Sequence, residues 1–182
     1  MELPVEQFIS SAPTLKRLLI VGNSGSGKSW LGNQLALRLQ LPHTDLDTIF
    51  WQDHNYRSKR TEQQVRAHIS ALQQQPNWLV EGVFGKLVGP LSNRADCLIF
   101  LDMPWPLCRH RLLNREPQGP RLPEGITAFS DLLSWAEEYD RRQSPSSHHG
   151  HQQLFEHFQG LRLCLQSQEQ VTALLEDLRV RV

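Results

Sequence analysis

Apolar residues fall into short runs and helix-spaced stripes that alternate along the chain. Leu18-Leu19-Ile20-Val21, closed by Gly22, has the unbroken apolar character of a strand covered on both faces in a parallel sheet. From about Ser29 onward Leu31, Leu35 and Leu39 recur at helical spacing until Pro42, so a helix follows at once. His43 to Asp47 reads as a weak second strand running into acids. Thr61-Glu62-Gln63-Gln64 opens a helix that carries Val65, Ile69 and Leu72 inward, and Thr61 to Gln64 fits a capping box. Trp78-Leu79-Val80 and Cys97-Leu98-Ile99-Phe100-Leu101 are two further buried strands, ending in Glu81 and Asp102. Leu107, Arg111 and Arg115 lie along the next helix.

Residues 116–125 hold three prolines and two glycines, the makings of an irregular excursion, and a lid is expected over about 116–127. A helix from about Ser130 to Arg142 follows, then a Ser/His/Gly loop, a helix near Gln152 to Phe158 and a strand at Leu161 to Leu165. Val171, Leu174, Leu175 and Leu178 face inward from a last helix. No internal repeat is present. Strand and helix in alternation predict an α/β fold: a three-layer, five-stranded parallel sheet flanked by helices, with ligands bound beyond the C-terminal strand ends. Gly22, Asp45, Asp47, Glu81 and Asp102 all fall at that end.

At 182 residues the chain suits a single domain, with residues 1–15 read as a short N-terminal tail. Nineteen Lys plus Arg balance nineteen Asp plus Glu, and no basic run occurs, which argues against nucleic acid as a partner. Met1 to Thr14 lacks the apolar run of a signal peptide, and no segment reaches the length of a spanning helix. The expected location is the cytoplasm, away from membranes. Cys97, Cys108 and Cys164 are odd in number and set in apolar runs, as buried thiols would be.

Gly22 to Ser29, GNSGSGKS, satisfies G-x-x-x-x-G-K-[ST] between a predicted strand and a predicted helix, the context a P-loop requires. Gly22, Gly25 and Gly27 let backbone N–H groups, with those of Asn23, Ser24 and Ser26, converge on phosphate oxygens at a helix N-terminus. Lys28 is expected to reach the β and γ phosphates of ATP, and Ser29 to place its hydroxyl on Mg²⁺. Trp30 stands where a small residue is usual and is expected to alter the packing under the nucleotide, as one of its binding residues.

With this motif, the acids after the second and third strands and the arginines after the fourth, the chain resembles the adenylate-kinase and shikimate-kinase group of P-loop kinases. Within that group the runs around His43 to Trp51, Trp78 to Gly82 and Cys97 to Arg115 most resemble a bacterial set labelled topology modulation proteins. The likeness covers about residues 16–178 and implies a P-loop NTPase fold of nucleotide-kinase type. Asp45-Leu46-Asp47 resembles a D-x-D in which the first acid orients Mg²⁺ through water and the second receives the acceptor hydroxyl. On an extended chain the two would point the same way. Glu81-Gly82 resembles the acid-glycine pair of the third strand, the acid holding a metal-bound water and the glycine admitting the acceptor. The competing reading has Glu81 cap a following helix. Asp102, before Met103-Pro104, matches an acid that lies off the metal. Arg111 and Arg115, four apart on one helix face, resemble the pair that stacks on adenine and contacts phosphate. Arg121 and Arg142 are candidates to supply transition-state charge. Trp51, Tyr56 and Arg57 fall where this group binds its acceptor, although the aromatics suit a core equally.

His148-His149-Gly150-His151 reads as a solvated loop, since no cysteine or carboxylate stands at ligand spacing. The resulting expectation is a phosphotransferase that moves the γ-phosphoryl of ATP to a small-molecule acceptor, with nucleotides and nucleosides among the candidates. The alternative is an ATP-binding accessory or regulatory protein with slow ATPase activity and no such acceptor. Acceptor identity and oligomeric state stay open at this point.

Overall fold

Five strands, β1 (Arg17–Gly22), β2 (His43–Asp45), β3 (Trp78–Gly82), β4 (Cys97–Leu101) and β5 (Leu161–Leu165), pair in parallel in the order β2-β3-β1-β4-β5. The computed structural model in which they are seen describes residues 5–52, 58–114 and 129–181. Helices α1 (Val5–Ser11), α2 (Lys28–Leu39), α3 (Leu46–Phe50), α4 (Glu62–Gln74), α5 (Gly85–Ser92), α6 (Trp105–Leu113), α7 (Phe129–Glu137), α8 (His148–His157) and α9 (Gln168–Arg181) surround the sheet, with 3₁₀ turns at Ala12–Thr14 and Glu138–Asp140.

The unbroken apolar strands follow from coverage on both faces. Along β1, Leu18 and Ile20 enter one core with Leu31, Leu35, Leu174 and Leu178 of α2 and α9. Leu19 and Val21 enter the other with Ile49, Val65, Ile69 and Val88 of α3, α4 and α5. The result is the expected three-layer sandwich, and it sets the C-terminal ends of β1, β2, β3 and β4 side by side.

Four local expectations change. The second strand stops at Asp45, whose carboxylate accepts the backbone N–H of Asp47 at 2.8 Å and caps α3. Asp47 therefore sits in a helical first turn rather than on an extended chain, because an aspartate is a strong helix N-cap and here competes with the strand. The N-terminal stretch is not a plain tail: Phe8 and Ile9 of α1 are 1% and 4% exposed and lie in the core shared with α9. An Ile9→Val variant is accordingly expected to lose about 1 kcal/mol of stability in chemical denaturation; no loss would place α1 outside the folded unit.

The histidine run is helical, not a solvated loop. Ser147 accepts the N–H of Gly150 and starts α8 at His148, and His151 is fully buried. Conversely α7 ends at Glu137, so Arg142 lies beyond the helix and the turn that follows it. The capping box at Thr61 and Gln64 is present as expected. Arg57, Tyr56, Arg115, Arg121 and the lid region 116–127 lie outside the described residues.

Candidate functional site

The loop from Gly22 to Gly27 joins β1 to α2 and turns under tight steric limits. Gly25 has φ +79°, and a Cβ there would stand 2.4 Å from the carbonyl oxygen of Cys108 in α6. Gly27, at φ +99°, is the N-cap of α2. Both conformations favour glycine, and the loop lies flush against its neighbours for that reason. Two side chains brace it. The Asn23 amide donates to the carbonyl of Ala136 in α7 at 2.8 Å, and the Arg111 guanidinium donates to the carbonyl of Ser26 at 2.7 Å. Arg111 also donates to the side-chain oxygen of Gln168.

Lys28, the first residue of α2, turns its ammonium to the Asn23 carbonyl at 2.8 Å. Burial lowers its pKa, opposed by the charges of Glu81, Asp47 and Asp45. Glu81 is paired in register with Asp45 of β2 and Ile20 of β1, and is 2% exposed. Its Oε1 has no hydrogen-bond partner, while the Ser29 hydroxyl donates to the carboxylate. Burial pushes its pKa up to about 7; Lys28 pulls it back, and Asp45 and Asp47 push it further. One buried cation thus faces three acids at the strand ends. The helix after β3 has Phe84 as its N-cap with no side-chain cap, so Glu81 does not serve that purpose.

Other candidates are held elsewhere. A Cβ on Gly82 would meet Leu46 at 2.8 Å, so the room left by that glycine is taken by α3 rather than offered to an acceptor. Trp51 is 5% exposed and stands edge-on to Phe50, with the Lys59 ammonium over its ring. Arg142 stacks over Trp135 at 3.9 Å and donates to the carbonyl of Ser146. Asp102 is bound by His148 and Gln166, each at 3.0 Å, apart from the lysine cluster. Trp30 is 51% exposed beside the loop. Among the described residues no three His, Cys, Asp or Glu groups could by themselves hold a metal ion.

One buried pair left no mark in the sequence pattern. His151 donates from Nε2 to the carbonyl of Val83, just past β3, and accepts at Nδ1 from the Tyr139 hydroxyl at 2.6 Å. Burial holds this histidine neutral, its pKa pulled down to about 3. It ties the turn after α7 to the exit of β3. Only the preference of a buried histidine for two partners could have hinted at it, and both partners are distant in sequence.

Comparison with known proteins places this geometry. The family model described as ABC transporter matches residues 10–180. An uncharacterized protein, YqaC, of Bacillus subtilis (strain 168) is 28% identical over 130 residues, which are 69% of this chain and 73% of that one. Among solved structures, a shikimate kinase from Bacteroides thetaiotaomicron is 16% identical, covering 91% of this chain and 97% of its own at a TM-score of 0.60. A sugar kinase from Janibacter sp. HTCC2649 is 14% identical with coverage of 92% and 94% and a TM-score of 0.54. A gluconokinase from Sinorhizobium meliloti 1021 is 14% identical with coverage of 91% and 93% and a TM-score of 0.53. At these identities the likeness shows the fold.

Proposed function

The chain belongs to the P-loop NTPase family that the ABC transporter model describes over residues 10–180, and from that premise we propose that it is an ATP-dependent kinase for a small-molecule hydroxyl. The observation that carries this reading is the cluster of Lys28, Glu81, Asp45 and Asp47 at the open end of the sheet, against the P-loop. A nucleotide-binding loop alone needs the lysine. Acids placed beside it add a means to hold a metal and to receive a proton.

In this reading the N–H groups of residues 22–27 cradle the phosphates, and Lys28 swings from the Asn23 carbonyl to the β and γ oxygens. The donor set fits Mg²⁺, which takes few protein oxygens and keeps several waters: Ser29, with Glu81 and Asp45 behind water, would hold it. When bound, that ion neutralises charge on the phosphate oxygens. Asp47 orients the acceptor hydroxyl and takes its proton. The hydroxyl oxygen then forms a bond to Pγ as the bond from Pγ to the bridging oxygen breaks, leaving ADP and a phosphorylated acceptor. Arg115 and Arg142 are proposed to offset phosphate charge in transfer, Arg142 after leaving Trp135. Arg57 is proposed to shape the acceptor's side of the crevice, with Trp51 behind it in the packing.

The three solved kinases named above act on different small molecules by their names, so the fold does not choose an acceptor. No helix among the described residues is long and apolar enough to cross a membrane. With Cys97 and Cys108 buried as unbridged thiols, a cytoplasmic site of action is proposed. The test is ATP consumption with Mg²⁺ against nucleoside monophosphates, nucleosides and hydroxy acids. A hydroxyl compound that raises turnover about a hundredfold over water supports the kinase, within the range that positioning supplies. Nucleotide turnover that no acceptor accelerates supports instead an accessory ATPase, a reading favoured by the transporter description of the matched family.

A further inference from the structure

The ladder that joins β1 to β3 ends with the pair Val21 and Gly82. Past it β1 turns into the P-loop and β3 runs on to α5, so the ladder no longer fixes one against the other. A bridge of side chains begins at that point. On the P-loop side the Asn23 amide donates to the carbonyl of Ala136, near the end of α7, at 2.8 Å. In the 3₁₀ turn that follows α7, the Tyr139 hydroxyl donates to Nδ1 of His151 at 2.6 Å, and Nε2 of His151 donates to the Val83 carbonyl at 3.1 Å. The direction is fixed: a carbonyl only accepts, so Nε2 carries the proton and Nδ1 is left to accept. The start of α8 is fastened beside this chain. His148 lies 3.0 Å from Asp102 past β4, and the Ser146 hydroxyl accepts the N–H of Gly85 at 3.2 Å.

Asn23 and His151 are buried with their polar atoms engaged, as such side chains in a core must be. With Ser26, Glu81 and Ser147 they are the buried polar residues among those described, and all five stand at this end of the sheet. Burial and the nearby Lys28 charge hold His151 neutral, so it brings no charge to the site. What it brings is position. The Lys28 ammonium donates to the Asn23 carbonyl at one end of the bridge, and Glu81 lies two residues before Val83 at the other. Oε1 of Glu81 has no hydrogen-bond partner, so the backbone of β3 does much to set where the carboxylate stands.

We propose that Tyr139 and His151 are positioning residues: the bridge they form holds the end of β3, and Glu81 with it, in a fixed place against the P-loop, so that phosphate and acid can share one Mg²⁺. The proposal rests on the reading that Glu81 stands behind a metal-bound water. Without the bridge the P-loop still binds phosphate and β3 still carries its acid, but the two no longer meet the ion together.

Calorimetric titration of the full chain with ATP, once in Mg²⁺ and once in EDTA, tests it. The wild type should bind ATP more tightly with the metal. Tyr139→Phe keeps the ring and removes only the hydroxyl. It should weaken binding in Mg²⁺ about tenfold, the low end of the loss that follows removal of a partner behind a metal ligand, and leave binding in EDTA within about twofold. His151→Gln can still donate to Val83 but breaks the link to Tyr139, and should show the same split. The double variant should be no weaker than either single one, because both break one bridge. A chain that is merely destabilised would lose affinity by the same factor in both buffers, since affinity scales with the competent fraction. A variant without the split, weakened equally in both buffers or in neither, overturns the proposal, as do additive losses in the double variant. A wild type that binds no ATP, or whose affinity does not rise with Mg²⁺, overturns the metal reading beneath it before any variant is measured, which separates the two failures.

Discussion

Replacing Lys28 by alanine is expected to lower acceptor-dependent ATP turnover by on the order of 10²–10³-fold, the loss that follows removal of one preorganised charge donor. Lys28 faces Glu81, Asp45 and Asp47, alongside only His43, which lies 4.0 Å from Glu81 and whose pKa burial lowers, among the described residues, so removing the lysine has a second effect. At pH 8 the three acids would crowd one strand end uncompensated, with Glu81 pressed to take up a proton, and the melting temperature should fall. At pH 5 the fall should shrink, because Glu81, with its pKa near 7, is already protonated and one of the three charges is gone. Steady-state turnover and thermal melts at the two pH values check both parts. Unchanged turnover would remove Lys28 from the chemistry; an equal loss of stability at both pH values would remove it from the charge cluster.

The parts of this fold that were legible in the sequence are those set by burial on both faces. A strand such as Leu18 to Val21 has no polar side to hide, so its apolar run announces it, and the glycines after it announce the loop. Helices with a full stripe, such as Val65, Ile69 and Leu72, were equally plain. Short elements fixed by one side-chain hydrogen bond were not. Asp45 could extend a strand or cap a helix, and the 2.8 Å bond to Asp47 N–H decides for the cap. Ser147 does the same for the histidine run. Phe8 and Ile9 are too few to show a period, and they count only because α9 is there to receive them.

For the candidate site the sequence offers residues but not their contacts. The motif places Lys28 and Ser29 because the loop's own geometry does so. Arg111 was visible as a charge on a helix face, but its two partners, a loop carbonyl and Gln168, come from other parts of the chain. The same holds for Asn23 and Ala136, which are 113 positions apart. Contacts of this kind depend on how helices stack on the sheet, and a one-dimensional pattern carries no record of that. Gly82 shows the cost: read as room for an acceptor, it is room for Leu46.

Glu81→Gln is expected to separate stability from function. In the folded chain Glu81 keeps its proton up to about pH 7, whereas an ordinary glutamate releases it near 4.5. Between those values the folded state binds more protons than the unfolded state, so stability falls as pH rises, and above pH 7 the penalty of a buried carboxylate is fully present. Glutamine has the same shape, can still accept from Ser29, and carries no charge. One acid fewer also eases the imbalance of three acids against one lysine. At pH 8 the variant should therefore gain on the order of 1–2 kcal/mol, within the span of such shifts. That corresponds to a melting temperature higher by roughly 2–8 °C for a domain of this size. At pH 5 the two proteins should melt together. Function should move the other way: losing a carboxylate proposed to stand behind a metal-bound water should raise the Mg²⁺ concentration needed for half-maximal turnover by about 10–100-fold. A gain in stability at pH 5 equal to that at pH 8 would show that packing, not charge, is at issue. An unchanged Mg²⁺ requirement would leave Glu81 a buried acid tolerated for another reason, and would shift the metal-holding role toward Ser29 and Asp45 alone.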